Sequence, residues 1–536
     1  MEGLKTTDKA RPVFLREATG LVRQLSASDV IMFNLLNMGL GWPLLYSFFG
    51  AGTYPGVNLP LTVLVALVPN FFIALLYYYL SVAMPRSGGD YVWVSRLVHP
   101  AIGFMESFAI FVFYLGFIGP VSGFAMTFGL GTMFTNLSVI TGNPAYASLA
   151  SAVMGTNFIL VGSLLILVIL IGTSVLGLRA SFKLQWATFV LMVLGVAVFL
   201  IALATSSPST FTNNFNQLSG ANYLGLLDAA NKAGLITGFT LSGTIIGSFW
   251  MFVNYLGYFT SVYVGGEVKQ ASRSQFIGII GSTVLFAVLA LFMYGAPYIT
   301  MGGSFFSAVS QLSMTGNAAY TLPSQPVYSF LVIFASPNIF VAILVPLAII
   351  ATVVGSLETI VLMAVRLVFA WSFDGITPAK LAEVSEKRSS PNYALGLVAV
   401  VGLIYVLLSI FAANVLTFNA YSTSGLFLAF AIAGIAGILF PYRHKDLFQA
   451  APASVQRKLA GVPVVAILGV ITLLTGIFVA FIAASPVFTG APVNPYYFAG
   501  MIGVFVVGLI IYEASALYQK SKGIDLSIRF KQLPPE

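Results

Sequence analysis

The stretch FNLLNMGLGWPLLYSFFG (residues 33–50) places helix-breaking residues inside the first long apolar run of the chain. Gly39, Gly41 and Pro43 lie at its centre, just after Asn34 and Asn37. Glycine costs a helix about 1 kcal/mol relative to alanine, and proline about 3 kcal/mol. In a lipid bilayer the backbone groups that such residues leave unpaired cost more still, so the interruption requires a reason.

The composition is that of a membrane protein. Of the 536 residues, 58% are hydrophobic and only 7% are charged, whereas a soluble domain has about 25% charged residues. A helix needs about 20 apolar residues to cross a bilayer. Twelve such runs, which we call spans 1 to 12, are predicted near residues 29–49, 59–83, 101–130, 157–177, 184–204, 242–264, 276–297, 338–370, 393–413, 419–440, 461–484 and 496–517.

The positions of the cations predict the orientation. All lysines and arginines except Lys232 and Arg366 fall in the tails and in alternate connections between spans. Because cytoplasmic loops are enriched in cations, both termini are predicted to be cytoplasmic and the protein to be multi-pass in the cell membrane. The net charge of +8 has the same cause, so no nucleic-acid partner is implied. The lipid bilayer is expected to surround the spans.

The sequence argues against most membrane enzymes. It has no cysteine, and its two histidines, His99 and His444, fall in predicted loops. Haem and metal centres need imidazole, thiolate or clustered carboxylate ligands within the membrane. We therefore expect no metal, no cofactor and no enzymatic activity.

A second interrupted span resembles the first. Span 6 carries Asn254, Gly257 and the pair Tyr255 and Tyr258 at its middle. It lies five spans after span 1, so the two cross the bilayer in opposite directions. Interrupted segments at matching positions of two inverted halves indicate a transporter binding site. The alternative is that glycine only allows close helix packing.

This pattern predicts a domain organisation. Residues 26–440 form a ten-helix transport core, with repeat one at about 26–205 and repeat two at about 240–440. Residues 441–517 add spans 11 and 12, and residues 1–25 and 518–536 are cytoplasmic tails, partly disordered. The long connections at 205–240 and 299–337 are expected to be outer segments, and for 299–337 we weigh short helices against a disordered linker.

Four stretches resemble amino acid permeases of the amino acid-polyamine-organocation superfamily, over about residues 25–440. They are NMGLGW (37–42), MPRSGGDYVWVSRLVHPAIGF (84–104), NYLGYFTSVYVGGEVKQASR (254–273) and RLVFAWSFDGITPAKLAEVSEKRSSP (366–391). The resemblance implies an all-α, LeuT-like fold with a 5+5 inverted repeat, broken spans 1 and 6, and two extra helices. Unlike many proton-coupled relatives, the chain has no lysine in the middle of span 5.

The two interruptions are predicted to bind a zwitterion. The amino end of a half-helix carries unpaired N–H groups and a partial positive charge, which suits a carboxylate. The amides of Gly39, Leu40 and Gly41 would bind the carboxylate. In span 6, the carbonyls near Asn254, Tyr255 and Leu256 would bind the ammonium group. The predicted substrate site comprises Asn37, Met38, Gly39, Leu40, Gly41, Asn254, Tyr255, Leu256, Gly257 and Tyr258, with Trp250 and Tyr114 as gating residues.

Carboxylates inside a membrane are costly and are functional candidates. Glu358, beside Ser356 and Thr359, is predicted to couple transport to a proton rather than to sodium, and its alternative is a structural role. Glu106 and Arg366 are predicted to form a structural ion pair.

The predicted function is secondary active transport of a neutral amino acid by alternating access, coupled to an ion or by exchange. The alternatives are a polyamine or other organic solute transporter of the same fold, and an amino acid channel or sensor that does not transport.

Overall fold

The computed structural model describes residues 23–385, 390–411, 415–484 and 494–531. Residues 1–22 of the predicted tail 1–25 and residues 532–536 of the predicted tail 518–536 lie outside the described residues, as do residues 386–389 of the fourth motif. Helices dominate the described chain, and its named strands are a short antiparallel pair, Lys458–Leu459 with Val462–Pro463. This architecture is an all-α membrane protein, as the sequence predicts.

Eleven helices in the described ranges are long and apolar enough to cross a membrane. Together with the interrupted segment at 241–267, they match the twelve predicted spans in order. Their bounds are Ala27–Thr53, Leu59–Ala83, Pro100–Thr141, Thr156–Val175, Leu178–Ala204, Ala271–Met314, Ile339–Phe373, Asn392–Phe411, Ala420–Arg443, Val464–Ala483 and Pro495–Ser521.

Span 3 continues well beyond its predicted end. It runs to Thr141, through a π-helical segment at Ala125–Gly131, because polar residues that end the apolar run are satisfied inside the protein. Thr135 donates to the carbonyl of Gly131 at 2.9 Å, and Asn136 donates to the carbonyl of Ser329 at 2.9 Å. Span 7 is lengthened in the same way, with π segments at Phe276–Gly281 and Tyr298–Gly302 and a final helix at Gly303–Met314.

The long connections fold into short helices, so the linker alternative for 299–337 is wrong. The first connection contains Pro208–Leu218 and Tyr223–Lys232, and the second contains Tyr328–Ala335. The two connections pack on each other through aromatic rings. Phe305 stacks on Tyr223 with ring centroids 4.0 Å apart, and it meets Phe215 edge-on at 5.1 Å.

Span 1 is two helices, Ala27–Met38 and Trp42–Thr53. Ser26 and Asp29 form a capping box at its start, and Gly39 ends the first half with a φ of 67°. Such a positive φ favours glycine, which has no Cβ. Pro43 lies in the first turn of the second half, where its missing N–H has no helical partner to lose.

Span 6 is also discontinuous. Leu241–Gly247 and Phe249–Tyr255 form its first half, and a 3₁₀ helix at Thr260–Glu267 forms its second half. Leu256 leaves the helical conformation, with a ψ of 86°. The backbone is therefore interrupted in both of the spans that the sequence indicated.

Both described ends of the chain lie on one face of the bundle, which we call the terminal face. The amides of Gln24 and Leu25 donate to the carbonyl of Glu267 at 2.9 Å. At the other end, Gln519 donates to the carbonyl of Gly375 at 2.8 Å. Span 12 continues to Ser521, and a short helix, Leu526–Arg529, follows it within the predicted tail 518–536.

Candidate functional site

The two interruptions touch each other. The side chain of Asn254 donates a hydrogen bond to the carbonyl of Met38, and more weakly to that of Gly39 at 3.4 Å. A Cβ on Gly257 would lie 2.7 Å from the carbonyl carbon of Asn37. Glycine is therefore required where the backbone of span 6 meets that of span 1.

Asn34 adds a second link between the same spans. Its side-chain oxygen accepts from the amide of Ser261 at 2.9 Å and from the hydroxyl of Thr260 at 3.2 Å. Its amide group donates to the carbonyl of Gly278 in span 7 at 3.0 Å. The sequence shows an asparagine in an apolar run, but it does not show that Asn34 joins three spans.

Fewer backbone amides are free at the span 1 interruption than predicted. The amide of Gly39 donates to the carbonyl of Leu35 at 2.8 Å, and that of Gly41 donates to the hydroxyl of Thr352 in span 8 at 3.0 Å. The prediction of three free amides is therefore wrong for Gly39 and Gly41. Within the described chain, the amide of Leu40 has no hydrogen-bond partner.

Carbonyl groups at the span 6 interruption lack their regular helical hydrogen bonds. The carbonyl of Tyr255 accepts a long bond of 3.5 Å from the amide of Tyr258. Among the described residues, the carbonyls of Asn254 and Leu256 accept no backbone hydrogen bond. The two interruptions thus offer a donor from span 1 and two acceptors from span 6.

A small cavity of about 40 Å³ lies between spans 1, 3, 6 and 8. None of its lining residues is charged. Several buried polar atoms near the interruptions have no hydrogen-bond partner in the described chain. The lining residues are Asn37, Trp42, Tyr46, Tyr114, Phe117, Val121, Val253, Leu256, Ser356, Leu357 and Ile360. The unpartnered atoms include Asn37 Nδ2, Tyr114 OH, Trp250 Nε1, Asn254 Oδ1 and Tyr255 OH.

The predicted site residues divide into two groups. Asn37, Tyr114, Leu256 and Ser356 line the cavity. The others are buried around it: Met38 is fully buried, Tyr255 packs edge-on against Phe286 in span 7, and Tyr258 donates to Asn70 in span 2 at 3.2 Å. The aromatic rings of Tyr255 and Tyr258 therefore pack on neighbouring spans.

An aromatic cluster covers one side of the cavity. The ring of Trp250 lies 5.2 Å from that of Tyr46 and 5.0 Å from that of Phe49. Tyr46 in turn stacks on Trp42 at 5.4 Å. Trp250 is one of the predicted gating residues, whereas Trp42 and Tyr46 were not predicted from the sequence. The signal that could have found them is their spacing of four residues directly after the interruption, which places both on one side of the half-helix.

The predicted coupling residues do not share one site. Glu358 is fully buried and points to span 4, where Thr173 and Ser174 each donate to its carboxylate at 3.2 Å. Ser356 faces the cavity, and Thr359 accepts from Gln185 in span 5 at 3.3 Å. Successive residues of a helix point in different directions, which separates the three side chains.

The predicted ion pair between Glu106 and Arg366 is absent. Arg366 instead contacts Glu267 at the end of span 6, with 2.6 Å between Nε and Oε1. Both side chains are almost completely buried, and a buried acid without a cation would be strongly unfavourable. A second buried pair, Arg96 with Asp374 at 2.8 Å, lies near it on the terminal face. Glu267 and Asp374 lie in two of the four stretches that resemble amino acid permeases.

Interrupted helices that face each other across a cavity in a bundle of spans are typical of membrane transporters. A family model described as amino acid permease matches residues 26–524. The chain therefore belongs to the amino acid permease family.

Two relatives give further context. The chain is 25% identical over 509 residues to the branched-chain amino acid permease BcaP of Lactococcus lactis subsp. cremoris (strain MG1363), covering 91% of this chain and 94% of the relative. It is 29% identical over 79 residues to uncharacterized protein 399 of Sulfolobus islandicus rod-shaped virus 1, covering 15% of this chain and 20% of that protein.

Proposed function

We propose that this permease is a secondary active transporter that carries neutral amino acids with apolar side chains by alternating access. The observation that carries the proposal is the pair of facing interruptions, with a free amide at Leu40 and free carbonyls at Asn254 and Leu256. The half-helix Trp42–Thr53 begins here, and its amino end favours a carboxylate. The carbonyls of span 6 suit an ammonium group.

The lining of the cavity supports an apolar side chain. Val121, Val253, Leu357 and Ile360 contribute branched aliphatic surface. No acidic residue lines the cavity, so a polyamine would bury its second charge without a partner. The relative named as a branched-chain amino acid permease agrees with this substrate class.

The size of the cavity implies movement. At about 40 Å³ it is far smaller than an ordinary small-molecule site, which has roughly 300–1,000 Å³. An amino acid therefore requires the aromatic cluster of Trp42, Tyr46 and Trp250 to separate from its neighbours. Alternating access supplies such a movement.

The proposal includes the domain organisation, the orientation in the membrane and the coupling ion. Residues 26–440 form the inverted-repeat core, spans 11 and 12 are additions, and the terminal face is cytoplasmic in the cell membrane. Protons drive accumulation through Glu358, because no cation pairs with this buried acid in the described chain.

Counterflow in proteoliposomes tests the function. Vesicles loaded with unlabelled leucine should take up labelled leucine, isoleucine or valine faster than empty vesicles, and labelled lysine or putrescine should not enter. Uptake of putrescine alone would overturn the substrate class. Leucine flux without stimulation by internal leucine would indicate a channel, and binding without flux would indicate a sensor.

Thermal unfolding gives an independent test of binding. A ligand at 100 times its dissociation constant adds about 2.7 kcal/mol to the stability of the folded state. Leucine should therefore raise the unfolding temperature, whereas glutamate and lysine should leave it unchanged.

A further inference from the structure

Glu106 has an unusual environment. It is fully buried in span 3, and neither of its carboxyl oxygens has a hydrogen-bond partner within the described residues. Its carboxyl group interacts electrostatically with that of Asp90, which begins the short helix Asp90–Leu97. A buried carboxyl group that faces a second carboxyl group, and no donor, is costly unless it carries a proton.

Asp90, by contrast, is well supplied with donors. Its Oδ2 accepts from the hydroxyl of Tyr77 at 2.9 Å and from that of Tyr263 at 3.0 Å. Its Oδ1 accepts from the amide of Tyr91 at 3.0 Å. Three donors stabilise the ionised form, although burial raises the pKa of Asp90 to about 6.

Within the described chain, neither of the two acids forms an ion pair. Arg96, on the same short helix as Asp90, pairs with Asp374, and Arg366 pairs with Glu267. The titratable groups that face the pair are neutral phenols, contributed by span 2, span 3 and the second half of span 6. They are Tyr77, Tyr114 and Tyr263. Two neighbouring carboxyl groups without a cation cannot both be ionised in a buried site.

We propose that Asp90 and Glu106 form a proton-binding site, in which Glu106 holds one proton that it donates toward the carboxylate of Asp90. The site is separate from Glu358, whose carboxylate accepts from Thr173 and Ser174 in span 4. This proton-binding site rests on the proposed transport function, because its proton is released when the permease opens toward the terminal face.

The hydrogen bonds of Asp90 explain why the opening would release the proton. Through Tyr77 and Tyr263, Asp90 joins span 2 to the second half of the interrupted span 6. When that half moves away, Asp90 loses the donor from Tyr263 and water reaches the pair. The O–H bond of Glu106 then breaks, its proton passes to water on the terminal side, and a carboxylate remains on Glu106. Closing reverses the step.

Infrared spectroscopy of the full chain in proteoliposomes tests the site directly. At neutral pH the wild type should show the C=O stretching band of a protonated carboxyl group, and Glu106→Gln should remove one carboxyl group from that band. The matched control is Glu513→Gln, whose carboxyl group is exposed, and it should leave the band unchanged. An unchanged band in Glu106→Gln would overturn the proposal.

A second variant keeps the test informative if Glu106→Gln fails to fold. Asp90→Asn removes the acceptor charge while keeping the shape, so the band of Glu106 should shift in frequency. A band at the wild-type frequency would show that Glu106 does not donate to Asp90, contrary to the proposal. Leucine counterflow in the wild type is measured separately, so loss of the transport function and loss of the proton site are distinguishable.

Discussion

Asn254 in span 6 donates its side-chain amide to the backbone carbonyl of Met38 in span 1. This bond joins the two interrupted helices at the place where each lacks its regular hydrogen bonds. In a continuous helix the carbonyl of Met38 would accept from an amide of the same helix. Here it accepts from the side chain of Asn254 in the other interrupted span. The geometry of the two interruptions is therefore coupled.

Replacing Asn254 by leucine should destabilise the protein. The change keeps a similar volume but leaves the carbonyl of Met38 buried without this donor, which costs about 1–3 kcal/mol. We expect a lower unfolding temperature in detergent and weaker stabilisation by leucine. The control is Asn213→Leu on an exposed position of a connecting helix, which should unfold like the wild type. Equal unfolding temperatures for the two variants would contradict the structural role of Asn254.

Gly257→Ala should separate the two interruptions. The added Cβ would lie 2.7 Å from the backbone of Asn37, so the backbones must shift apart. Overpacking of this kind costs about 1–3 kcal/mol, and counterflow of leucine should be lost. Gly295→Ala is the matched control, because a Cβ there meets nothing within 4 Å and the backbone is helical. Wild-type counterflow in Gly257→Ala would show that the close approach is not needed.

Breaking the pair between Arg366 and Glu267 should be severe. Arg366→Met leaves a buried acid without its cation, which costs about 3–5 kcal/mol, whereas the double variant Arg366→Met with Glu267→Leu removes both charges and should recover much of the stability. Thermal unfolding measures both variants.

The exposed pair of Lys232 and Asp228 provides the control for that comparison. Lys232→Met should leave the unfolding temperature unchanged, because solvent screens this pair. A double variant that is less stable than Arg366→Met would contradict the prediction, because it would show that Glu267 without its cation is not the main cost.

Glu358→Gln should separate exchange from accumulation. Glutamine keeps the size of the side chain and can accept hydrogen bonds from Thr173 and Ser174, but it cannot bind or release a proton at this position. Leucine counterflow should persist, while accumulation driven by an acid outer solution should be abolished. Glu383→Gln, at an exposed position, should retain both activities. Undiminished accumulation in Glu358→Gln would remove this residue from the coupling mechanism.

The sequence by itself determined the class of protein, the order of the spans and the location of both interruptions. These are local properties: an apolar run of about 20 residues spans a bilayer wherever it occurs, and Gly39, Gly41 and Gly257 weaken a helix in any context. The same local reasoning placed Asn37, Tyr114 and Ser356 among the candidate residues that line the cavity.

Only the tertiary structure decided which residues meet across the bundle. In the folded protein the amide of Gly41 donates to the hydroxyl of Thr352, and Arg366 pairs with Glu267. The hydroxyl of Tyr258 donates to Asn70. These contacts depend on the rotation and depth of each helix. In a membrane protein both the lipid-facing and the core-facing sides are apolar, so hydrophobic periodicity does not reveal the rotation. Partners far apart in the sequence are therefore fixed only when the spans pack.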